Sequence, residues 1–301
     1  MNPVESLRTP DDRFKGLPDF PFEPSYVDSL PGYEGLRAHY VDVGPIDAER
    51  TFLCLHGEPT WGYSYRKMVP LMLTIGARVI LPDLLGFGRS DKPTLDSTYT
   101  FSFHREFLLR LVEHLDLRNL TLVVQDWGGT LGLTLPVDAS FRTRLERLLM
   151  MNTVLPIGEP LGPHFDEWRA LVRKTPDLPV GQVVHQITPN LTVDEIAAYD
   201  APYPDRRFKA GVRTFPELAM VEPHMSGVEE AKAALMFWQE SWTGQSFMAI
   251  GSKDPDAQAM HALRTHIRGC PQPLIVSEAG HFVQEWGDSV VQAALRNFGD
   301  I

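Results

Sequence analysis

Short apolar runs alternate with longer amphipathic stretches through the first half of this 301-residue chain. Residues 120–124 are almost wholly apolar, which is typical of a strand buried on both faces of a parallel sheet. Residues 101–115 instead repeat their apolar positions at helical spacing. Strands are predicted at 37–43, 51–55, 78–81, 120–124 and 145–151, and helices at 61–75 and 101–115. This alternation predicts an α/β fold, with a mostly parallel central sheet flanked by helices.

The pattern changes between residues 155 and 230, where the sequence is rich in proline, favours helices and has no strand-like run. Strand, strand and helix patterns then return at 246–250, 274–276 and 290–298. An interrupted α/β pattern indicates one sheet domain with an insertion. We therefore predict a core domain of residues 1–154 and 231–301 and an inserted helical cap domain of residues 155–230.

Charge and cysteine usage exclude several classes of protein. The formal net charge is −11, and binding to nucleic acid or to an anionic membrane requires clustered Lys and Arg. No secretory signal pattern and no uninterrupted apolar run of membrane-spanning length is visible. The two cysteines, Cys54 and Cys270, are too few for a disulfide framework and wrongly spaced for zinc. We predict two buried free thiols, no metal and a cytoplasmic location.

Asp126 is the candidate nucleophile. It directly follows a predicted strand, and Gly128 and Gly129 follow it, so the chain is able to turn sharply and present the side chain at the strand end. The nucleophile elbow of α/β hydrolases has this form, although Val124 stands where the pattern usually has glycine. A carboxylate is suited to displacing a leaving group from saturated carbon, which forms an alkyl ester on the protein. The alternative is that Asp126 only caps the helix after it.

His281 and Asp254 are the candidate partners of this nucleophile. His281 follows the last predicted strand, where it would activate water as a general base to hydrolyse the ester. Asp254 follows the strand before it and would orient the imidazole, with Asp256 as the alternative acid. The order Asp126, Asp254, His281 matches nucleophile, acid and base in α/β hydrolases. Asn152, one strand earlier, is unable to carry the charge of an acid.

The segment His56-Gly57-Glu58-Pro59 follows the second predicted core strand. Gly57 permits a tight turn, so that the next backbone N–H points into the cleft. We predict that the backbone N–H groups of Glu58 and Trp127 form an oxyanion hole for the intermediate of ester hydrolysis. A plain Gly-Pro turn is compatible with this interpretation.

Several motifs, in this order, resemble those of the haloalkane dehalogenases. They are HGEPTW (56–61), PDLLGFGRSDKP (82–93), VVQDWGG (123–129), FMAIGSKD (247–254) and EAGHFVQE (278–285). The resemblance spans nearly the whole chain and is weakest in residues 1–25 and in the cap. It implies an α/β-hydrolase fold that converts haloalkanes into primary alcohol, halide and a proton through an Asp126 alkyl ester. The partners implied are a small halogenated alkane, water and halide, without a cofactor, and we expect a monomer.

The resemblance also points to the groups that would bind halide. A departing halide needs N–H donors, and the indole of Trp127 lies next to the nucleophile in sequence. One branch of the family supplies a second donor from an Asn after the HG turn, but Glu58 stands there. The branch with two halide-binding tryptophans implies Trp168 of the cap, which would otherwise only pack a cap helix. We assign Trp61, Trp238, Trp242 and Trp286 to packing, and expect Phe165, Phe208, Phe237 and Thr130 to line the pocket.

Three other functions compete with this one. An epoxide hydrolase shares the triad and the cap and uses two cap tyrosines, for which Tyr199 and Tyr203 are candidates. Its chemistry gains nothing from Trp127. A fluoroacetate dehalogenase typically has Arg after the nucleophile, where this chain has Trp127. A non-catalytic ligand-binding protein of the same fold has little reason to keep Asp126, Asp254 and His281 together.

Overall fold

The computed structural model describes residues 4–301 and contains an eight-stranded sheet flanked by helices. The strands are β1 (Ser6–Leu7), β2 (Pro24–Val27), β3 (Ala38–Val43), β4 (Thr51–Leu55), β5 (Arg78–Pro82), β6 (Lys92–Pro93), β7 (Leu120–Gln125), β8 (Leu145–Met151), β9 (Gln245–Gly251) and β10 (Leu274–Val276). The sheet order is β10-β9-β8-β7-β4-β5-β3-β2, and β1 pairs separately with β6. The predicted α/β fold with a mostly parallel sheet is confirmed.

The sheet is parallel from β10 through β5, whereas β3 and β2 add an antiparallel edge. Strands β4, β5 and β7 are buried along their whole length, as their apolar runs predict. The parallel strands end at one edge of the sheet. The segments that follow β4, β7, β8, β9 and β10 therefore meet there, which is where ligand sites form in open α/β sheets.

Eleven α-helices are present in the described part of the chain. They are α1 (Val69–Leu73), α2 (Phe101–His114), α3 (Trp127–Gly132), α4 (Ala139–Arg142), α5 (Pro163–Lys174), α6 (Val180–Ile187), α7 (Val193–Asp200), α8 (Ala210–Leu218), α9 (Val228–Met236), α10 (Ala257–Thr265) and α11 (Gly287–Phe298). Among residues 4–301, none of the helices has the length and apolarity needed to cross a bilayer.

One predicted helix is wrong. Residues 61–75 form a 3₁₀ turn at Gly62–Tyr65 followed by the short helix α1. Pro70 lies in the first turn of α1, and a proline has no N–H and clashes with the carbonyl four residues earlier. A continuous helix through Pro70 is therefore blocked, and the regularly spaced apolar residues belong to two shorter elements instead.

Helices α5 to α9 lie between β8 and β9, and a buried charged cluster ties this insertion to the rest of the molecule. Arg66, before α1, contacts Glu285 Oε1 and Glu195 Oε1 at 2.6 Å each. Glu195 belongs to α7, and the Tyr199 hydroxyl of the same helix donates to Glu285. Burial opposes ionisation of Glu195, but the Thr192 N–H and Arg66 lower its pKa to about 2. Breaking such a buried pair costs about 3–5 kcal/mol, so the insertion is held firmly on this side.

Candidate active site

The turn between β7 and α3 forces Asp126 into an unusual backbone conformation. Its φ is +51°, a region that a non-glycine residue occupies at a cost of about 1–3 kcal/mol. A Cβ at Gly128 would collide with the Leu55 carbonyl oxygen, and one at Gly129 with the Thr153 hydroxyl. The glycines therefore allow α3 to pack closely under the turn. The Asp126 side chain makes no capping hydrogen bond to α3, so the interpretation of Asp126 as a simple helix cap is wrong.

Three of the predicted site residues meet at the carboxyl edge of the sheet. His281 Nε2 lies 3.4 Å from Asp126 Oδ2, and His281 Nδ1 lies 2.8 Å from Asp254 Oδ2. The alternative acid, Asp256, points elsewhere: its carboxylate lies 3.6 Å from His164 of α5. Its backbone N–H donates to Asp254 Oδ1 at 3.0 Å. The structure thus brings Asp254, and not Asp256, to the imidazole.

The charges of these groups support one another. Burial alone would lower the pKa of His281, but the carboxylates of Asp254 and Asp126 outweigh it and hold this pKa well above its usual range. Burial likewise opposes ionisation of Asp254, yet its pKa lies below the ordinary value because His281 and several hydrogen bonds stabilise its negative charge. Asp254 is therefore an ionised acceptor that fixes the orientation of the imidazole.

The backbone of Glu58 contacts the candidate nucleophile Asp126. Its backbone N–H donates to Asp126 Oδ1 at 2.8 Å, and its role in an oxyanion hole stays a prediction. Within residues 4–301, the backbone N–H of Trp127, the other predicted donor, makes no hydrogen bond to the Asp126 carboxylate. Gly57 is required for this approach, because a Cβ there would collide with the Asp126 carboxylate.

The two candidate halide donors face the same cavity. The indole N–H of Trp127 has no acceptor among the hydrogen bonds of residues 4–301. That of Trp168 donates to Glu58 Oε2 at 3.2 Å. Three other indoles bind protein oxygens in packed surroundings, namely Trp61 to Ala198 O, Trp238 to Leu133 O and Trp242 to Ser246 Oγ.

The cavity has a volume of about 300 Å³, and its floor is formed by Asp126, Trp127 and His281. Its walls are mostly apolar side chains of the insertion, including Leu161, Phe165, Val183 and Ile187, together with Met260 of α10. A small, mainly apolar pocket with a few polar groups suits a small organic ligand. Among residues 4–301, no group of three or more His, Cys, Asp or Glu side chains is arranged to hold a metal ion.

Of the four side chains expected to line the cavity, only Phe165 does so. Phe237 instead packs edge-on against Trp238 and Trp242 at the end of α9, and Phe208 is buried in the turn before α8. The Thr130 hydroxyl donates to the Val154 carbonyl oxygen behind the turn. The expectations for Phe208, Phe237 and Thr130 are therefore wrong.

The two cap tyrosines that an epoxide hydrolase would use are engaged elsewhere. Tyr199 donates to Glu285, and Tyr203 donates to the Pro59 carbonyl oxygen at 3.3 Å. Both hydroxyls are buried, and neither residue lines the cavity. The geometry therefore gives no support to an epoxide hydrolase.

Sequence reasoning missed the side chains that hold the site residues in place. Asn152 Nδ2 donates to Asp254 Oδ2 at 2.6 Å and to the Gly280 carbonyl oxygen at 3.2 Å. Gln125 Nε2 donates to the His281 carbonyl oxygen at 3.2 Å. Gln125 ends β7 and Asn152 follows β8. This position at a strand end was the only sequence feature that could have indicated their role. Asn152 does not replace an acid here but orients one.

Comparison with known proteins agrees with this geometry. A family model described as alpha/beta hydrolase fold matches residues 50–288. Haloalkane dehalogenases from Mycolicibacterium paratuberculosis and Psychrobacter cryohalolentis are 41% and 40% identical to this chain, covering 93% and 99% of it and the same shares of their own lengths. The structure of haloalkane dehalogenase DpaA from Paraglaciecola agarilytica NO2, described as tetrameric, superposes with a TM-score of 0.96 at 49% identity, covering 99% of this chain and all of that one. The chain belongs to the haloalkane dehalogenases, α/β-fold hydrolases that act on carbon–halide bonds.

Proposed function

We propose that the Asp126 carboxylate attacks the halogen-bearing carbon of a small haloalkane and that His281, oriented by Asp254, directs hydrolysis of the resulting ester. The observation that carries this proposal is the contact of the His281 imidazole with both carboxylates on the floor of a small apolar cavity. Trp127 and Trp168 would bind the departing halide through their indole N–H groups.

In the first step, an Asp126 oxygen forms a bond to carbon while the carbon–halogen bond breaks, and the bonding electrons leave with the halide. Asp126 is only partly exposed, with 23% of its side chain accessible, and the cavity walls are mainly apolar. Few waters would therefore solvate the nucleophile. The indole N–H donors would replace water around the developing halide charge.

In the second step, a water molecule attacks the ester carbonyl carbon while His281 takes its proton. Esterification removes the negative charge of Asp126, which is one of the two carboxylates that raise the pKa of His281. The pKa of the imidazole should therefore fall after displacement, which favours its neutral form as the base. The Glu58 N–H, already 2.8 Å from Asp126 Oδ1, would stabilise the tetrahedral oxyanion. The oxyanion then re-forms the carbonyl, the bond from this carbon to the alkoxy oxygen breaks, and the leaving alkoxide takes the proton from His281. The products are a primary alcohol, halide and a proton, and Asp126 is again a free carboxylate.

We also propose the division into a core of residues 1–154 and 231–301 and a cap of residues 155–230. Helix α9 crosses the second boundary and contacts the core turn Leu135–Val137, so the cap would end near the start of this helix. A cytoplasmic location fits Cys54 and Cys270, which are both buried and free. The monomer remains a prediction. Light scattering tests it, with the tetramer described for the relative from Paraglaciecola agarilytica NO2 as the contrary outcome.

The substitution His281→Phe tests the two-step mechanism, because displacement needs only the ionised Asp126. The variant should release about one halide per active site from 1-bromobutane and then stop. Intact-protein mass spectrometry should show the alkyl adduct, and peptide mapping should assign it to Asp126. The same change at the exposed His261 of α10 serves as a control and should leave steady turnover intact. An active parent enzyme whose His281→Phe variant shows neither burst nor adduct would contradict the mechanism.

A further inference from the structure

The side chain of Glu58 is not explained by the role of its backbone. It is only 4% exposed, and its Oε2 accepts the indole N–H of Trp168 at 3.2 Å. Its other oxygen, Oε1, is buried and has no hydrogen-bond partner among residues 4–301. The proposed halide donor of the cap is therefore occupied by a carboxyl group with one unsatisfied oxygen.

The surroundings of Glu58 disfavour a negative charge. The titratable groups that face it are Asp126 and His281 from the core and Tyr203 from the insertion. Burial raises the pKa of Glu58 and the Asp126 carboxylate raises it further, against the opposing effects of Trp168 and His281, to a position well above the ordinary value. Glu58 and Asp126 both line the same small, mainly apolar cavity. Neighbouring carboxyl groups do not both ionise readily, and the proposed mechanism requires the charge on Asp126.

We propose that Glu58 is a positioning residue that, as a neutral acid, holds the indole N–H of Trp168 in the empty site and yields it to the halide. This inference rests on the proposed role of Trp168 in halide binding. A neutral carboxyl oxygen is a weaker acceptor than a carboxylate, so the indole is oriented without being withheld from the halide. Ionised Glu58 would retain the N–H more strongly and would also repel the anion. The Glu58 proton thus keeps the halide site competent.

Halide binding at this site should depend on pH. Halide would bind tightly only while Glu58 is neutral, so halide affinity should fall as pH rises, approaching a tenfold loss per pH unit, about the limit for a single proton. Loss of the imidazolium charge of His281 would weaken halide binding as well. The effect of Glu58 is therefore measured as the halide dissociation constant of the wild type divided by that of Glu58→Gln, since both proteins contain His281.

The experiment titrates bromide by tryptophan fluorescence from weakly acidic to alkaline pH. Glutamine resembles the neutral acid in shape and has no ionisation, so the ratio should be near one at low pH and should rise steadily with pH. The control Glu167→Gln makes the same change at the exposed residue next to Trp168, and its ratio should stay flat. A constant ratio for Glu58→Gln overturns the proposal. A constant ratio above one, with weaker bromide binding by the wild type at every pH, would mean that Glu58 is ionised throughout. A ratio well below one at neutral pH, with weaker binding by Glu58→Gln, would mean a merely structural role.

Thermal unfolding gives a second measurement that does not depend on halide. Because the pKa of Glu58 is higher in the folded than in the unfolded state, its contribution to stability is fully present below the unfolded pKa and is lost as pH rises through the folded one. The Tm of Glu58→Gln minus that of the wild type should therefore increase as pH rises. A pH-independent difference counts against the proposal.

Failure of this inference is distinguishable from failure of the proposed function. If the wild type releases no halide from 1-bromobutane, the proposed function fails. If Trp168→Phe binds bromide as the wild type does, the role of Trp168 fails and the inference with it. If both hold but the ratio for Glu58→Gln does not vary with pH, only the inference about Glu58 fails.

Discussion

The core half and the cap half of this site are built differently. In the core half, Asp126, His281 and Asp254 form a continuous chain of contacts, supported by Asn152 at the end of the neighbouring strand. In the cap half, most of the cavity wall is apolar, and the polar contacts across the cavity are Trp168 with Glu58 and His164 with Asp256. The core half therefore holds the proposed reacting groups through direct contacts, whereas the cap half shapes and screens the space above them.

The largest expected effect comes from removing Asp126, the proposed nucleophile. Asp126→Ala should lower the rate of halide release by at least about 10⁴-fold, because no other carboxylate lies at the elbow. Removing one member of a catalytic unit costs about as much as removing all of them. Circular dichroism should remain native-like. The exposed Asp194 of α7 provides the control Asp194→Ala, with unchanged turnover. Substantial residual halide release by a folded Asp126→Ala variant would contradict the assignment.

The acid position is the next most sensitive. Asp254→Asn should slow ester hydrolysis by up to about 10⁴-fold, because the imidazole loses the acceptor that fixes its tautomer. Asp256→Asn is the matched control and should be mild, since Asp256 contacts His164 and not His281. Rapid-quench measurement of halide burst and steady turnover separates the two steps. A larger loss in Asp256→Asn than in Asp254→Asn would reverse the assignment.

The two halves are compared most directly through their proposed halide donors, Trp127 of the core half and Trp168 of the cap half. A hydrogen bond to a charged group contributes about 1.5–3 kcal/mol, so Trp127→Phe should weaken bromide binding about 10- to 100-fold. Trp168→Phe should weaken it less, because the Trp168 N–H must first leave Glu58. Saturable fluorescence quenching by bromide gives both constants. Equal binding in Trp168→Phe and the wild type would end the two-tryptophan model.

The same division explains what the sequence could predict. The apolar run at 51–55 coincides with β4, because a fully buried strand needs apolar residues on both faces. The run at 274–276 coincides with β10, an edge strand in which Ile275 is exposed. Asp126 was recognisable because the elbow is formed by consecutive residues and placed by a strand end. The helix predicted at 61–75, in contrast, was wrong. Its apolar residues have helical spacing, but Pro70 prevents one continuous helix.

The cap half left little local signal. Glu58 and Trp168 are 110 residues apart in sequence, and their contact depends on how α5 packs over the sheet. Phe208 and Phe237 were expected in the cavity because they are large and apolar, but an aromatic side chain fits the cap interior or the core equally well. Spacing within one helix does not determine its docking on another element. Cavity walls are therefore harder to predict than strand ends.

The smallest expected effect lies at the cavity rim, where His164 of the cap contacts Asp256 of the core at 3.6 Å. Both side chains are about half exposed, at 53% and 45%, and such pairs contribute about 0–1 kcal/mol. His164→Gln should therefore change kcat by less than about fivefold, which corresponds to that energy. Asp256→Asn should do the same, and the double variant should add nothing, because both changes remove one contact. Stopped-flow halide release gives the three values. A change well beyond that range would mean that the rim contact controls passage through the cap, and the contrast between a core half held by direct contacts and a screening cap half would need revision.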